Sequence, residues 1–220
     1  MRDLIVAGGG PTGLAVAIAA AQRGLSVAVI EPQPGPIDKA CGEGLMPAGL
    51  RSLARLGVHP EGLPFRGIRY VAGSTRAEAE LPGGPGLGVR RLTLHRALWA
   101  RAEALGVTLL ADKLVDQSEA DGRVDLRLSR GARESARYLV GADGLRSPLR
   151  ARLGLNLPPK HPPRVGLRRH FEVADAGDLV EVHWADEAEA YLTPVAPGVV
   201  GLAILAGQAP PPGEAEGGRF

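Results

Sequence analysis

Aromatic residues make up only 4% of this sequence, and it contains one cysteine, Cys41. With so few rings, neither a base-stacking platform nor an aromatic cage is indicated. One cysteine forms no internal disulfide and no cysteine-cluster metal site, so no metal is expected. No apolar run approaches the roughly 20 residues of a membrane-spanning helix, so no stable membrane span is expected. There is no block of one charge. The net charge is +2, and the pI near 9.0 comes from arginines spread along the chain. That argues against a nucleic-acid partner. The first apolar run begins at residue 4, which leaves no room for a signal peptide and makes the cytoplasm the default compartment.

What is present is concentrated at the front. The 220 residues are enough for one large domain or one and a half ordinary ones, and at 45% hydrophobic they can build a core. Leu4-Ile5-Val6-Ala7 reads as a strand, Gly8, Gly10 and Gly13 follow at G-x-G-x-x-G spacing, and a helix from Ala15 to Arg23 closes at Gly24. Ser26 to Ile30 is a second apolar run ending in Glu31. Each part has a physical reason to be there. Gly8 permits the tight turn, Gly10 leaves backbone room for a pyrophosphate, and Gly13 lets the helix approach the sheet. Pro11 suits the first helical position, where free N–H groups and the positive dipole end face the phosphates. Glu31 is placed to accept from an adenosine ribose, and it disfavours a 2′-phosphate. Strand, turn, helix, strand and acid in this order point to a dinucleotide.

Further on, Pro32-Gln33-Pro34-Gly35-Pro36 is an irregular loop. Lys39 to Pro47 carries Gly42 and Gly44, and either admits a flat group close to the backbone or is an ordinary surface connection. A helix from about Ala48 to Leu56 ends at Gly57, Phe65 to Ala72 is a strand, and Leu81 to Gly88 is a Gly/Pro-rich loop. Arg91 stands ahead of a helix from Leu94 to Leu105, where it either meets an anionic cofactor or is solvated. Val107 to Ala111 rejoins the parallel sheet, with Leu114-Val115 continuing that edge. Asp121-Gly122 and Gly131-Ala132 are the turns of an antiparallel meander that returns through Tyr138-Leu139-Val140. Asp143 then follows a strand end and either binds ribose and phosphate or caps a helix. Beyond Pro158-Pro159 the character changes. Val165–Val173, Leu179–Trp184, Ala190–Val195 and Val199–Leu205 read as four antiparallel strands, one wall of a substrate pocket. His170 and His183 on those strands are either catalytic or merely solvated or capping. The end of the chain reads as a linker or disordered tail.

Laid out in this way, the chain resembles the flavoprotein hydroxylases of the p-hydroxybenzoate hydroxylase type, and most closely their geranylgeranyl-reductase-like branch. The likeness rests on Gly8-Gly9-Gly10-Pro11-Thr12-Gly13 with Glu31, on Arg91-x-x-Leu94-x-x-x-Leu98, and on Gly141-Ala142-Asp143-Gly144-x-x-Ser147-x-x-Arg150. The Lys39-x-Cys41-Gly42-x-Gly44 loop is similar to one that lies near the isoalloxazine in the reductase branch. The fold class implied is α/β: a Rossmann-like FAD-binding domain with a parallel sheet and an antiparallel β-meander, plus part of an antiparallel β-sheet substrate domain. The expected division is 1–157, with a ribbon at about 115–140 and a substrate-domain insertion at about 63–90, then 158–206 and a tail at 207–220.

The resemblance implies FAD as cofactor and NAD(P)H as co-substrate. It gives as cofactor-binding residues Gly8, Gly10, Pro11, Thr12, Gly13, Glu31, Pro32, Lys39, Cys41, Gly42, Arg91, Val115, Asp143 and Gly144, and it names no catalytic residue. The flavin would take hydride and either hydroxylate a small aromatic or isoprenoid substrate or reduce its double bond. The family's Gly-Asp element near residue 300 lies beyond Phe220, so a missing C-terminal partner, a homo-oligomer or a non-catalytic FAD- or nucleotide-binding fragment is a second expectation. An NAD-dependent dehydrogenase is a third, and the meander argues against it.

Overall fold

A computed structural model describes residues 1–33 and 35–207. Pro34 and the tail from 208 onward, including the segment read as linker, lie outside the described residues. The chain divides into two compact units, each assembled from three pieces. The first comprises Met1–Asp38, Arg51–Glu61 and Leu92–Leu157; the second comprises Lys39–Leu50, Gly62–Arg91 and Pro158 onward. Residues 39–50, counted with 1–157 on sequence grounds, therefore group with the second unit.

The chain opens with β1 (Arg2–Ala7), α1 (Pro11–Ala21) and β2 (Val27–Ile30), a parallel β-α-β crossover. Short strand β3 (Gly44–Leu45), helix α2 (Pro47–Arg55) and strands β4 (Leu63–Phe65), β5 (Gly67–Ala72), β6 (Thr75–Glu80) and β7 (Gly86–Gly88) follow. Next come α3 (Arg91–Ala104), β8 (Thr108–Leu110), β9 (Leu114–Ala120), β10 (Arg123–Leu128), β11 (Arg133–Gly141) and α4 (Pro148–Arg152). Strands β12 (Val165–Glu172), β13 (Leu179–Trp184), β14 (Ala188–Ala196) and β15 (Val199–Ala206) complete the described chain.

In the first unit the strand order is β8-β2-β1-β11-β10-β9, with β8, β2, β1 and β11 parallel and β10 and β9 antiparallel. Helix α1 is built of small and apolar residues and buries Leu14, Ala17 and Ile18 against Leu4, Val6, Val27 and Val29. Leu98 and Ala102 of α3 join the same core. The opposite face is a second core, in which Ile5, Ala7, Ala28 and Ile30 meet Leu114, Leu126 and Leu128 of the meander. That contact requires the sheet to bend. Strands β8 and β9 are at opposite edges, about 24 Å apart if six strands lay flat. Only residues 111–113 join them, a reach of about 14 Å from Leu110 to Leu114. The bend runs through long β11, which pairs with β10 in its first half and with β1 from Ala136 onward. Leu114-Val115 thus does not continue the β8 edge, as its apolar character suggested, but starts the opposite one.

The second unit holds a six-stranded sheet, β12-β15-β14-β13-β5-β6, and a three-stranded sheet, β3-β7-β4. The four strands expected between 165 and 206 are antiparallel, and β5 adds to them in parallel with β13. The single strand expected over Phe65–Ala72 is two strands, because the chain changes sheet at Arg66. Part of the expected loop at 81–88 is β7, whose glycines permit close contact. A Cβ on Gly88 would fall 1.7 Å from the Pro194 carbonyl oxygen. Phe65 is buried with Val180 and Val182 in this unit's core.

Candidate functional site

In the first unit the turn from β1 into α1 is held from several sides. Gly8 has φ +109°, donates to the Ile30 carbonyl at 2.8 Å, and would place a Cβ 2.3 Å from the Ala142 carbonyl oxygen. The G-x-G-x-x-G turn and the 141–150 junction are therefore in backbone contact. Gly13 would place a Cβ 1.9 Å from the Gly8 carbonyl oxygen, so only glycine brings α1 this close. Gly10 is different. Its backbone is extended (φ −69°), nothing lies within 4 Å of its Cβ position, and no side chain caps the helix it begins. Pro11 occupies the first turn, and the first intrahelical bond is Leu14 N–H to Gly10 at 2.9 Å. The N–H groups of Thr12 and Gly13 have no intrahelical acceptor at this end of a helix.

Glu31 is tied to the turn rather than left free at the strand tip. Its Oε2 accepts from Gly9 N–H at 2.8 Å and its Oε1 from Gln33 N–H at 3.0 Å, while Pro32 between them is exposed. Each oxygen keeps a second lone pair for a hydroxyl. His95, which the sequence reading did not single out, closes the other side of the turn. It is fully buried, and its Nε2 is 2.8 Å from the Gly9 carbonyl oxygen. A carbonyl only accepts, so the proton sits on Nε2. The ring also lies 5.7 Å from that of Trp99. A signal existed in the sequence: His95, Leu98 and Ala102 share the buried stripe of α3, and a histidine in such a stripe needs a partner.

Asp143 braces a helix start. Its Oδ2 accepts from Leu149 N–H at 3.0 Å, beside the Ser147 hydroxyl that caps α4 through Arg150 N–H at 2.9 Å. The capping alternative for Asp143 is therefore realised through one oxygen. Asp143 and Gly144 (φ +89°) line a groove of about 830 Å3 together with Tyr138, Leu139 and Leu149. Val115 is on β9, the edge strand at the other end of the strand order from β8.

In the second unit, Lys39 and Gly42 are exposed and Cys41 is half-buried. The Thr193 hydroxyl donates to the Gly42 carbonyl at 2.7 Å, and Glu43 N–H lies 3.4 Å from Cys41 Sγ. Arg91 is the first residue of α3 rather than the residue ahead of it, and its N–H donates to Glu43 Oε1 at 2.7 Å. Arg91 Nε is buried with no hydrogen-bond partner among the described residues. His170 is neither solvated nor a cap: its Nε2 is 2.7 Å from Glu43 Oε2. His183 pairs with Glu181 at 2.8 Å. Burial raises the Glu181 carboxyl, but hydrogen bonds from His183 and Arg69 outweigh it and leave it below its ordinary value. The Tyr191 hydroxyl donates to Glu189, which raises the phenol and lowers the carboxylate.

The family profile described as FAD binding domain matches residues 1–193. A menaquinone reductase of Mycobacterium tuberculosis is 36% identical over 162 residues, 69% of this chain and 40% of that protein. An FAD-dependent monooxygenase of Aspergillus niger is 32% identical over 196 residues, 81% of this chain and 44% of that protein. The chain thus spans less than half the length of these relatives. A solved geranylgeranyl bacteriochlorophyll reductase-like protein of Thermoplasma acidophilum shares the fold with a TM-score of 0.79 at 21% identity, over 94% of this chain and 56% of that one.

Proposed function

We propose that this chain, which belongs to the FAD binding domain family, holds the ADP half of FAD at the turn between β1 and α1 and serves an FAD-dependent oxidoreductase. The observation that carries this reading is the contrast among the glycines. Gly8, Gly9 and Gly13 are packed against protein atoms, while Gly10 opens onto free space at the uncapped start of an 11-residue helix. An anion there meets free N–H groups and the positive end of the helix dipole.

In this reading Pro11 and Thr12 shape the first turn, and Glu31 offers its remaining lone pairs to the adenosine ribose. Asp143, Gly144 and Arg91, the last with a buried Nε in want of an acceptor, hold the middle of the cofactor. Lys39, Cys41 and Gly42 meet the ring, and Pro32 and Val115 complete the set that the resemblance implies. Bound FAD supplies two-electron redox chemistry; the side chains position it and exclude water. NAD(P)H is the electron donor, and the cytoplasm is the compartment in this reading.

For the substrate we favour a small isoprenoid, reduced at a double bond, with the sheet of β12 to β15 as its wall. The name of the mycobacterial relative supports reduction, and the likeness of the Cys41-Gly42 loop to that of the geranylgeranyl-reductase-like branch supports an isoprenoid. Hydroxylation is the second reading, supported by the name of the fungal relative. The test is to load the purified chain with FAD and record its absorbance near about 450 nm, then add NADPH without oxygen. Retained yellow colour that bleaches supports the oxidoreductase, and a product gaining two hydrogens rather than an oxygen atom supports reduction. A chain that binds neither ADP nor FAD ends the reading.

A further inference from the structure

Glu43 lies between two glycines in an exposed loop, yet its side chain is 1% exposed. Its φ is +59°, a left-handed backbone that disfavours any side chain and that glycine adopts freely. The carboxylate compensates by meeting three donors. Oε1 accepts from Arg91 N–H at 2.7 Å and from Arg168 Nη1 at 2.8 Å, and Oε2 from His170 Nε2 at 2.7 Å. Arg90 Nη2 stands 3.4 Å from His170 Nδ1. An arginine only donates, so Nδ1 accepts and the ring presents its proton to Glu43. Room for this arrangement comes from Gly201, where a Cβ would fall 2.7 Å from Glu43 Oε2. The main chain of Glu43 is held as well, with its carbonyl accepting from Val89 N–H at 2.8 Å.

We propose that Glu43 is a positioning residue: its buried carboxylate fixes the Cys41-Gly42 turn and the first residue of α3 together, as one rigid piece. Joined to the proposed function, on which this second step rests, that piece meets the inner half of FAD, whereas ADP needs only the turn of β1 and α1. A carboxylate placed at a helix start also complements the helix dipole, 48 positions away in sequence.

The test uses the whole chain and its single thiol. Glu43→Gly removes the carboxylate without backbone strain, Glu43→Gln keeps its shape, and Gly201→Ala displaces Oε2 without substituting Glu43. In flavin-free protein, a thiol reagent attacks Cys41 about tenfold faster in Glu43→Gly and Gly201→Ala than in the parent, with Glu43→Gln between. The dissociation constant for FAD rises by about tenfold in the same variants, and that for ADP stays within about twofold. Unchanged Cys41 reactivity in Glu43→Gly and Gly201→Ala overturns the proposal, even if both melt earlier. So does an equal loss of ADP and FAD, which marks general loosening. A parent chain that binds neither nucleotide sinks the functional reading instead, and the Cys41 rates still decide the role of Glu43.

Discussion

Gly10 and Gly13 are three positions apart and differ in what a methyl group would meet. At Gly13 it strikes the Gly8 carbonyl at 1.9 Å; at Gly10 it meets nothing within 4 Å. Gly13→Ala should therefore cost about 1–3 kcal/mol of stability, read from urea denaturation. Gly10→Ala should fold as the parent does and weaken ADP binding by about tenfold or more, because the methyl fills the space of a phosphate. If Gly10→Ala binds ADP as tightly as the parent, the phosphate is elsewhere. The tight approach at Gly13 and the open space at Gly10 were legible because the spacing, the strand before and the helix after are all local. The partners of His95 and Glu43 were not, since they are tertiary: the Gly9 carbonyl is 86 positions from His95, and Arg168 is 125 from Glu43. His95→Ala should lower stability by about 1–3 kcal/mol by stranding a buried carbonyl. Restoration of most of that by His95→Gln would identify the hydrogen bond, rather than the packing against Trp99, as the cause.

At the scale of elements, period and turn chemistry made the meander readable: Asp121 (φ +53°) and Gly122 (φ +70°) form the hairpin turn that Asp-Gly suggests. Strand β6 escaped because all six of its residues are exposed and its alternation is carried only by Ala77 and Ala79 between charged residues, and alanine is a weak strand former. What no local pattern carries is the bend that brings the meander over the parallel sheet, and Asp112 is its fastener. It sits in the short β8–β9 connection and accepts from the Ser129 hydroxyl at 2.5 Å, Lys113 N–H at 2.7 Å and Arg130 N–H at 3.4 Å. The Ser129 hydroxyl, then these backbone donors, hold its carboxyl below the ordinary 3.8, against the upward push of burial. A carboxyl lowered on folding contributes stability that is complete above its unfolded value and disappears as pH falls through the folded one. Asp112→Asn should thus be less stable than the parent near neutrality, and the difference should shrink as pH falls below about 4. Denaturant midpoints across that range measure it, and a gap independent of pH would exclude the charged form as the source.

At the scale of the molecule, the chain crosses between its two units within helices as well as loops. Helix α2 starts in the second and ends in the first, and so does α3, whose Arg91 belongs to one and Leu92 to the other. A composition shift marks the crossing at Pro158, and nothing comparable marks those at Leu50 or Leu92, because a helix keeps one periodicity from end to end. Each unit nonetheless has its own buried cluster, one on Leu14, Ile18 and Leu98, the other on Phe65, Val180 and Val182. Separate cores on an interleaved chain leave two outcomes for a ligand held by the first unit. If the units open independently, ADP at about 100 times its dissociation constant adds about 2.7 kcal/mol to the opening of the first alone. Exchange of amide hydrogens in β1, β2 and β11 should then slow by up to about 100-fold, while β13, β14 and β15 exchange as before. Because the glycine turn, Glu31 and Asp143 all belong to the first unit, this is the expected result. Equal slowing in both sheets would mean that α2 and α3 tie the cores into one cooperative body, and binding energy gained at Gly10 would then stabilise the whole chain.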